Sequence, residues 1–311
     1  MSLSWSMFAR RQTKLYILVH QTVHLRMENI GIIGVGYIGK GFVDRLVETD
    51  RNLYVYDIDP DQVAYAEERG GKPTENAADL TDHVDAVVMA VPGTPEVEET
   101  MTGTNGVTET LTPDQLVIDV STTLPDTSKD AADWCAEIGA DFIEAPITGA
   151  APREGMHMMI GGPEATYHRA SPLLDDLCDN HIRIGDVGDA TIFKLGLQMR
   201  YAGHDAIDAE VVEFVNNHGV DPEPFNDFLE MGVLDNYFTN DFRQDLEGMG
   251  ALRIWHKDIG YAQQVAHESN TALPLNGGVQ EAYKAVRPNL AEDEGHPATL
   301  IRYWRTLNNN V

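Results

Sequence analysis

The six residues Gly34-Val35-Gly36-Tyr37-Ile38-Gly39 constrain this chain more than any other stretch. They follow Ile30-Gly31-Ile32-Ile33, a short β-branched run whose composition predicts a buried parallel strand. They lead into residues 40–47, whose spacing is helical. A G-x-G-x-x-G placed between strand and helix predicts a dinucleotide-binding turn. Gly34 permits the tight turn, Gly36 lets backbone approach a pyrophosphate, and Gly39 lets helix and strand pack closely. The helix N-terminus then offers amide hydrogens to the phosphate charge.

A second strand, Leu53-Tyr54-Val55-Tyr56, ends at Asp57. Asp57 stands about eighteen residues beyond Gly39, close to the spacing of roughly twenty expected for a ribose-binding acid. A carboxylate there accepts from the two ribose hydroxyls and repels a 2′-phosphate. Asp59 adds to that repulsion, and no arginine stands beside Asp57, so the expected cofactor is NAD. Tyr37, Ile38 and Ile58 fall on the same rim and are expected to touch it. Three further strands are predicted: 86–91 ending at Pro92-Gly93-Thr94, 116–120 ending at Ser121-Thr122-Thr123, and 141–144 ending at Ala145-Pro146-Ile147-Thr148-Gly149-Ala150. Their carboxyl ends face one crevice, where α/β sheets bind ligands.

After Gly188 the strand signals fade. Residues 190–217 read as one long helix, with Ile192, Phe193, Leu195, Leu197, Met199, Ala202, Ala206 and Val211 as its apolar row. Shorter helices are predicted around 222–232, 248–268, 276–286 and 297–308. The expected architecture is thus a doubly wound, mostly parallel α/β Rossmann domain over 27–188, followed by an all-α domain over 189–311. The cleft between them is the natural place for a small substrate. Lys194 stands one turn into the long helix, among apolar neighbours, in a chain with few lysines. Partial desolvation there would lower its pKa toward operating pH, as a proton shuttle requires.

Charge excludes some partners. With 50 acidic against 22 basic residues, the formal net charge is −28, which repels nucleic acid and anionic membranes. The acids are spread along the chain, a pattern that suits solubility in strong salt. Cys135 and Cys178 lie in no metal-binding or disulfide spacing; free buried thiols in a reducing cytoplasm are expected, and no metal site. Residues 1–26 are basic and nearly free of acids, unlike the rest. Their apolar run is too short for a secretory signal, so they are expected to be a leader or an extension, with Met27 as the natural start.

Four ordered motifs resemble the β-hydroxyacid dehydrogenase family, which includes 3-hydroxyisobutyrate dehydrogenase and tartronate semialdehyde reductase. They are IGIIGVGYIGKGF, IDVSTTLP, EAPITGAAPREGMHMMIGG and GDVGDATIFKLGLQ; the later HKDIGYA is similar to a further family segment. The resemblance implies that Lys194 is the catalytic lysine and that Gln198 orients the reacting oxygen. It implies that Ser121, Thr148, Gly149 and Ala150 hold the substrate carboxylate. Val91, Pro92 and Thr122 would touch the cofactor, Lys257 would reach the nicotinamide end, and Asp258 would support the substrate site. The sequence departs from the family where Thr148-Gly149-Ala150 replaces Ser-Gly-Gly, where Ala190 replaces a glycine, and where Gln198 replaces an asparagine.

The resemblance implies hydride transfer between a small 3-hydroxy carboxylate and NAD, in a homodimer or homotetramer. Two related activities compete. A 6-phosphogluconate-type enzyme should carry a longer helical half and an arginine phosphate site. An imine reductase typically lacks the lysine and prefers NADP. A non-catalytic NAD sensor on the same fold should have lost Lys194, and both Lys194 and Lys257 are present.

Overall fold

The protein is described by a computed structural model over residues 27–149, 155–229 and 251–286. The leader, Ala150 and the helix expected at 297–308 lie outside the described residues.

The first half begins with the predicted strand-turn-helix. Strand β1 (Asn29–Ile33) feeds helix α1 (Tyr37–Leu46), and β2 (Asn52–Tyr56) returns beside β1 in parallel register. Helices α2 (Pro60–Glu67) and α3 (Ala77–Asp82) flank a short β3 (Lys72–Pro73). Asp59 and Asn76 cap these two helices by accepting from the amides of Asp61 and Asp79. Next come β4 (Ala86–Met89), α4 (Thr94–Thr102), β5 (Leu116–Asp119), α5 (Pro125–Ile138) and β6 (Asp141–Glu144). The parallel order β3-β2-β1-β4-β5-β6 reverses direction between β1 and β4, which makes the switch point at which a crevice opens.

Alternation along the strands builds two cores. Ile30, Ile32, Val88, Leu116 and Ile118 pack with Phe42, Val43 and Leu46 of α1 on one face. Ile33, Val87, Met89, Val117 and Phe142 pack with Val97, Met101 and Ala131 on the other. A period of two sends neighbours to opposite layers, so an unbroken apolar run is what a sheet covered on both faces requires.

Four strands were not predicted: β3, β7 (Ile147–Thr148), β8 (His157–Gly161) and β9 (Asn180–Gly185). β8 pairs antiparallel with β6 and β7 and parallel with β9, across α6 (Glu164–Leu177). Met158 and Met159 carry much of β8's burial, and methionine gives little strand signal. Conversely, β4 stops at Met89; Ala90 and Val91 already belong to the loop. Cys135 and Cys178 are free and buried, and burial pushes their thiols up to about 12 and about 11.

Helix α7 (Asp189–Asn217) opens the second half, followed by a short α8 (Pro224–Asp227), α9 (Ala251–Glu268) and α10 (Pro274–Val286). Ala202, Ala209, Ile259 and Tyr283 form the core that joins α7, α9 and α10. The expected apolar row of α7 is only partly correct. Leu195, Ala202 and Ala206 are buried, but Ile192 and Phe193 are half exposed while Thr191, Lys194 and Gln198 are buried. The inner face of α7 meets the strand ends and α9, whose carboxylates need polar partners, so polar side chains turn inward there. Among the described residues no helix is long and apolar enough to cross a membrane.

Candidate active site

The turn after β1 is tight for steric reasons. Gly34 sits at φ +89°, and a Cβ there would meet the Ala90 carbonyl at 2.4 Å. A Cβ on Gly39 would lie 1.9 Å from the Gly34 carbonyl oxygen. Gly36 by contrast faces open space, no side chain caps the N-terminus of α1, and no acid stands in its first turn. The first amides of α1 are therefore presented to an anion, which fits a pyrophosphate. The Val35 amide is used differently: it donates to Asp57 Oδ2 at 2.6 Å. Asp57 Oδ1 accepts from the Asp59 amide at 2.9 Å. Each oxygen keeps a second lone pair for a ribose hydroxyl. Ile58, next along, is 91% exposed on the same rim.

The ends of β4 and β5 are pinned to each other. The Val91 amide donates to Ser121 Oγ at 3.2 Å, and the Ser121 amide donates to Asp119 Oδ1 at 2.9 Å. Ser121 is thus buried, with both its amide and its hydroxyl facing the Asp119 carboxylate. Asp119 is wholly enclosed, and burial first of all pushes its carboxyl up to about 7; the neighbouring Glu144 adds to the rise.

Helix α9 closes on these loops. Lys257 Nζ donates to the Thr122 carbonyl at 2.7 Å and lies 2.8 Å from Asp258 Oδ1. Tyr261, one turn on, places its hydroxyl 3.3 Å from the Thr94 amide, with Lys257 Nζ 4.8 Å from its ring centre. Lys257 and Tyr261 both pack against Gly93, so Val91, Pro92 and Thr122 share one rim with Lys257.

Lys194 is 7% exposed, and burial lowers its pKa to about 8. Asp258 opposes that shift and Lys257 reinforces it. One turn further, Gln198 Nε2 donates to Asp258 Oδ2 at 2.6 Å. A carboxylate can only accept, so the amide nitrogen of Gln198 must face Asp258 and its carbonyl oxygen is left for the cleft. Asp258 itself is fully buried beneath Gln198 and Lys257. Its place is behind the residues that line the cleft.

Sequence reasoning missed Glu144. This carboxylate, 1% exposed at the end of β6, accepts from the amides of Gly188, Ala190 and Thr191 through Oε1. Its Oε2 takes the Thr191 hydroxyl at 2.7 Å. Glu144 therefore caps α7 from the sheet, across more than forty residues of sequence, one turn before Lys194. An acid at a strand end ahead of a glycine-led helix was the available signal. Thr148 and Gly149 sit at the edge formed by β7. Gly149 has φ +133° and no room for a Cβ against the Gly155 carbonyl. Thr148 Oγ1 is 3.5 Å from the Tyr201 hydroxyl of α7. Ala150, expected beside them, lies outside the described residues. Among the described residues no group of three His, Cys, Asp or Glu side chains could hold a metal.

The comparison with known proteins agrees with this layout. The NAD-binding domain of 6-phosphogluconate dehydrogenase matches residues 29–185. The NAD-binding domain of NADP-dependent 3-hydroxyisobutyrate dehydrogenase matches residues 188–304. The 2-hydroxy-3-oxopropionate reductase of Escherichia coli is 28% identical, over 87% of this chain and 95% of its own. The L-threonate dehydrogenase of Cupriavidus necator is 27% identical, over 86% of this chain and 92% of its own. Among solved structures, a 3-hydroxyisobutyrate dehydrogenase of Mycobacterium tuberculosis shares the fold. Its TM-score is 0.79 at 20% identity, covering 90% of this chain and 99% of that one.

Proposed function

Because this chain belongs to the family that joins the NAD-binding domain of 6-phosphogluconate dehydrogenase to the NAD-binding domain of NADP-dependent 3-hydroxyisobutyrate dehydrogenase, we propose that it oxidises a small 3-hydroxy carboxylate with Lys194 as general base. It is an NAD(P)-dependent hydroxyacid dehydrogenase; the choice of NAD over NADP rests on Asp57 and Asp59. The observation that carries the reading is Lys194, buried at the cleft with its pKa lowered to about 8. A lysine in that range exchanges protons near neutral pH, where an ordinary lysine would stay charged.

Residues of the β1 turn, Gly34, Gly36, Tyr37, Ile38 and Gly39, would hold the pyrophosphate, with Asp57 on the ribose and Ile58 beside it. Val91, Pro92, Thr122 and Lys257 would line the nicotinamide end. When bound, the nicotinamide ring supplies the chemistry of hydride acceptance and donation. Neutral Lys194 Nζ takes the proton of the substrate hydroxyl. As the ammonium, in the reverse direction, it returns that proton to the carbonyl oxygen. Gln198, tied to Asp258 through its nitrogen, offers Oε1 to the reacting hydroxyl or to the Lys194 ammonium and so orients the pair. Asp258 balances Lys257, which keeps a second cation near Lys194 without an unpaired charge. Ser121, Thr148 and Gly149 bind the carboxylate, and closure of α9 on the strand loops excludes water.

The test is reduction of NAD, followed by absorbance, with 3-hydroxyisobutyrate, 3-hydroxypropionate, glycerate, threonate and 6-phosphogluconate. Turnover of one of the small acids, lowered about a thousandfold by Lys194→Ala, is expected; activity within about tenfold of the wild type after the substitution would overturn the assignment. We propose further that the protein is a cytoplasmic homo-oligomer adapted to salt. With a net charge of −28, the folding midpoint should rise by several degrees between dilute buffer and molar salt as repulsion is screened. A midpoint insensitive to salt would remove the salt-adapted reading.

A further inference from the structure

We infer that Tyr201 is a second hydroxyl donor for the substrate carboxylate, reaching it from the helical half of the cleft opposite Thr148. This rests on the reading of the cleft as a hydroxyacid dehydrogenase site. Thr191, Lys194, Gln198 and Tyr201 follow one another at helical spacing, so they share the inner face of α7. The first three are buried, and each has a defined place: Thr191 on Glu144, Lys194 at the cleft, Gln198 on Asp258. Tyr201 is next in the stripe and half buried, where the face opens toward β7.

Its hydroxyl lies 3.5 Å from Thr148 Oγ1. A direct O–H···O bond closes to about 2.7–2.8 Å, so this pair faces without gripping. The two oxygens come from different halves, β7 and α7, and either can donate to a third oxygen placed beside them. That third oxygen is anionic by the surroundings. The Arg200 guanidinium, on the residue before, lies 6.0 Å from the Tyr201 ring centre. Gly149, beside Thr148, brings bare backbone to the same edge. A carboxylate bridging Thr148 and Tyr201 gives both hydroxyls a charged acceptor; an alkyl group gives none, and an ester gives only a weaker, neutral one. The pair therefore selects a free acid, and it ties substrate binding to closure of the two halves.

The experiment compares 3-hydroxypropionate with its methyl ester in steady-state kinetics with NAD, using the wild type, Tyr201→Phe and Thr148→Val. Phenylalanine keeps the ring and removes only the hydroxyl. A donor lost from a charged acceptor should raise KM for the acid roughly tenfold or more and leave kcat within about twofold. KM for the ester, which offers only neutral acceptors, should rise severalfold less than KM for the acid. Thr148→Val should reproduce the pattern, which guards against a folding defect peculiar to position 201. An unchanged KM for the acid in Tyr201→Phe, or an equal rise for acid and ester, overturns the inference while leaving Lys194 in place. A wild type that oxidises no hydroxy acid overturns both this inference and the reading beneath it.

Discussion

In the Rossmann half, the strands bury Ile30, Ile32, Val88 and Ile118 and leave charge at the surface, whereas α7 buries Thr191, Lys194 and Gln198 and half exposes Ile192 and Phe193. Both regions are closely packed, but for different ends. The sheet is covered on two faces, so the removal of apolar area from water decides which side chain goes in. The inner face of α7 covers the strand ends, where backbone amides and carboxylates collect. There a buried polar group is tolerated only with a partner, and Glu144 and Asp258 supply the partners. The first region holds the molecule together; the second trades stability for a tuned lysine.

The sharpest way to break that contrast is to remove the lysine. Lys194→Ala should lower kcat by on the order of a thousandfold, the range of general acid–base catalysis. Its pH profile makes the same point. With Lys194 at about 8, the oxidation rate should climb as pH rises through 8 while the lysine becomes a base, and the reverse reaction should favour pH below 8. A wild-type profile that is flat from pH 7 to 9 would remove Lys194 from the proton path.

Stability should respond in the opposite sense in the two regions. Phe42, fully buried in α1 against the sheet, should cost about 3–5 kcal/mol on replacement by alanine. Lys194→Met should stabilise the fold by roughly 3 kcal/mol at pH 7, since the pKa falls from 10.5 to about 8 and each unit is worth 1.36 kcal/mol. The cost of the buried ammonium is fully present below pH 8. It fades as pH rises toward 10.5, so the gain from methionine should shrink over that interval. Urea titrations at pH 7 and pH 10 check both; a destabilised Lys194→Met at pH 7 would contradict the contrast.

The same division separates what the sequence makes legible from what it hides. The β1 turn and its helix, and Asp57 at the end of β2, are local, and period-two alternation with a glycine signature states them directly. Lys194 stood out because lysine is scarce here. Its apolar neighbours misled: Ile192 and Phe193 imply an apolar inner face, yet it is the polar residues that face in. Nothing local reveals that, because the partners sit far off in sequence, Glu144 at a strand end and Asp258 on α9. Strands β8 and β9 were hidden for a related reason, since their pairing is set by contacts across α6 and not by their own composition.

Glu144→Gln tests the distant anchor. Glutamine keeps the shape and one acceptor oxygen but removes the charge facing the N-terminus of α7. Hydrogen bonds to a charged group are worth about 1.5–3 kcal/mol, and part of that is retained, so a loss of roughly 1–2 kcal/mol in urea unfolding is expected. Because Thr191 stands one turn before Lys194, kcat should fall severalfold with KM little changed. A loss of stability with kcat untouched would make Glu144 a purely structural cap.

The smallest effect is expected on the outer face of α7, directly beside the largest. Phe193 is 53% exposed, while Leu195, two residues along, is 3% exposed. Phe193→Ser should change stability by less than about 0.5 kcal/mol, as surface substitutions do. Leu195→Ala should cost about 2–5 kcal/mol, as a buried leucine does. The pair brackets Lys194 and asks whether the helix is rotated as described. Were the apolar residues turned inward as composition alone suggests, Phe193→Ser would be the damaging change. Protein concentration adds a second reading. If copies of the chain cover this face, as the proposed homo-oligomer allows, the midpoint of Phe193→Ser should fall below that of the wild type at high protein concentration, where association protects only the wild type, and the two should converge on dilution. A midpoint equal to that of the wild type at every concentration would place any contact between copies elsewhere.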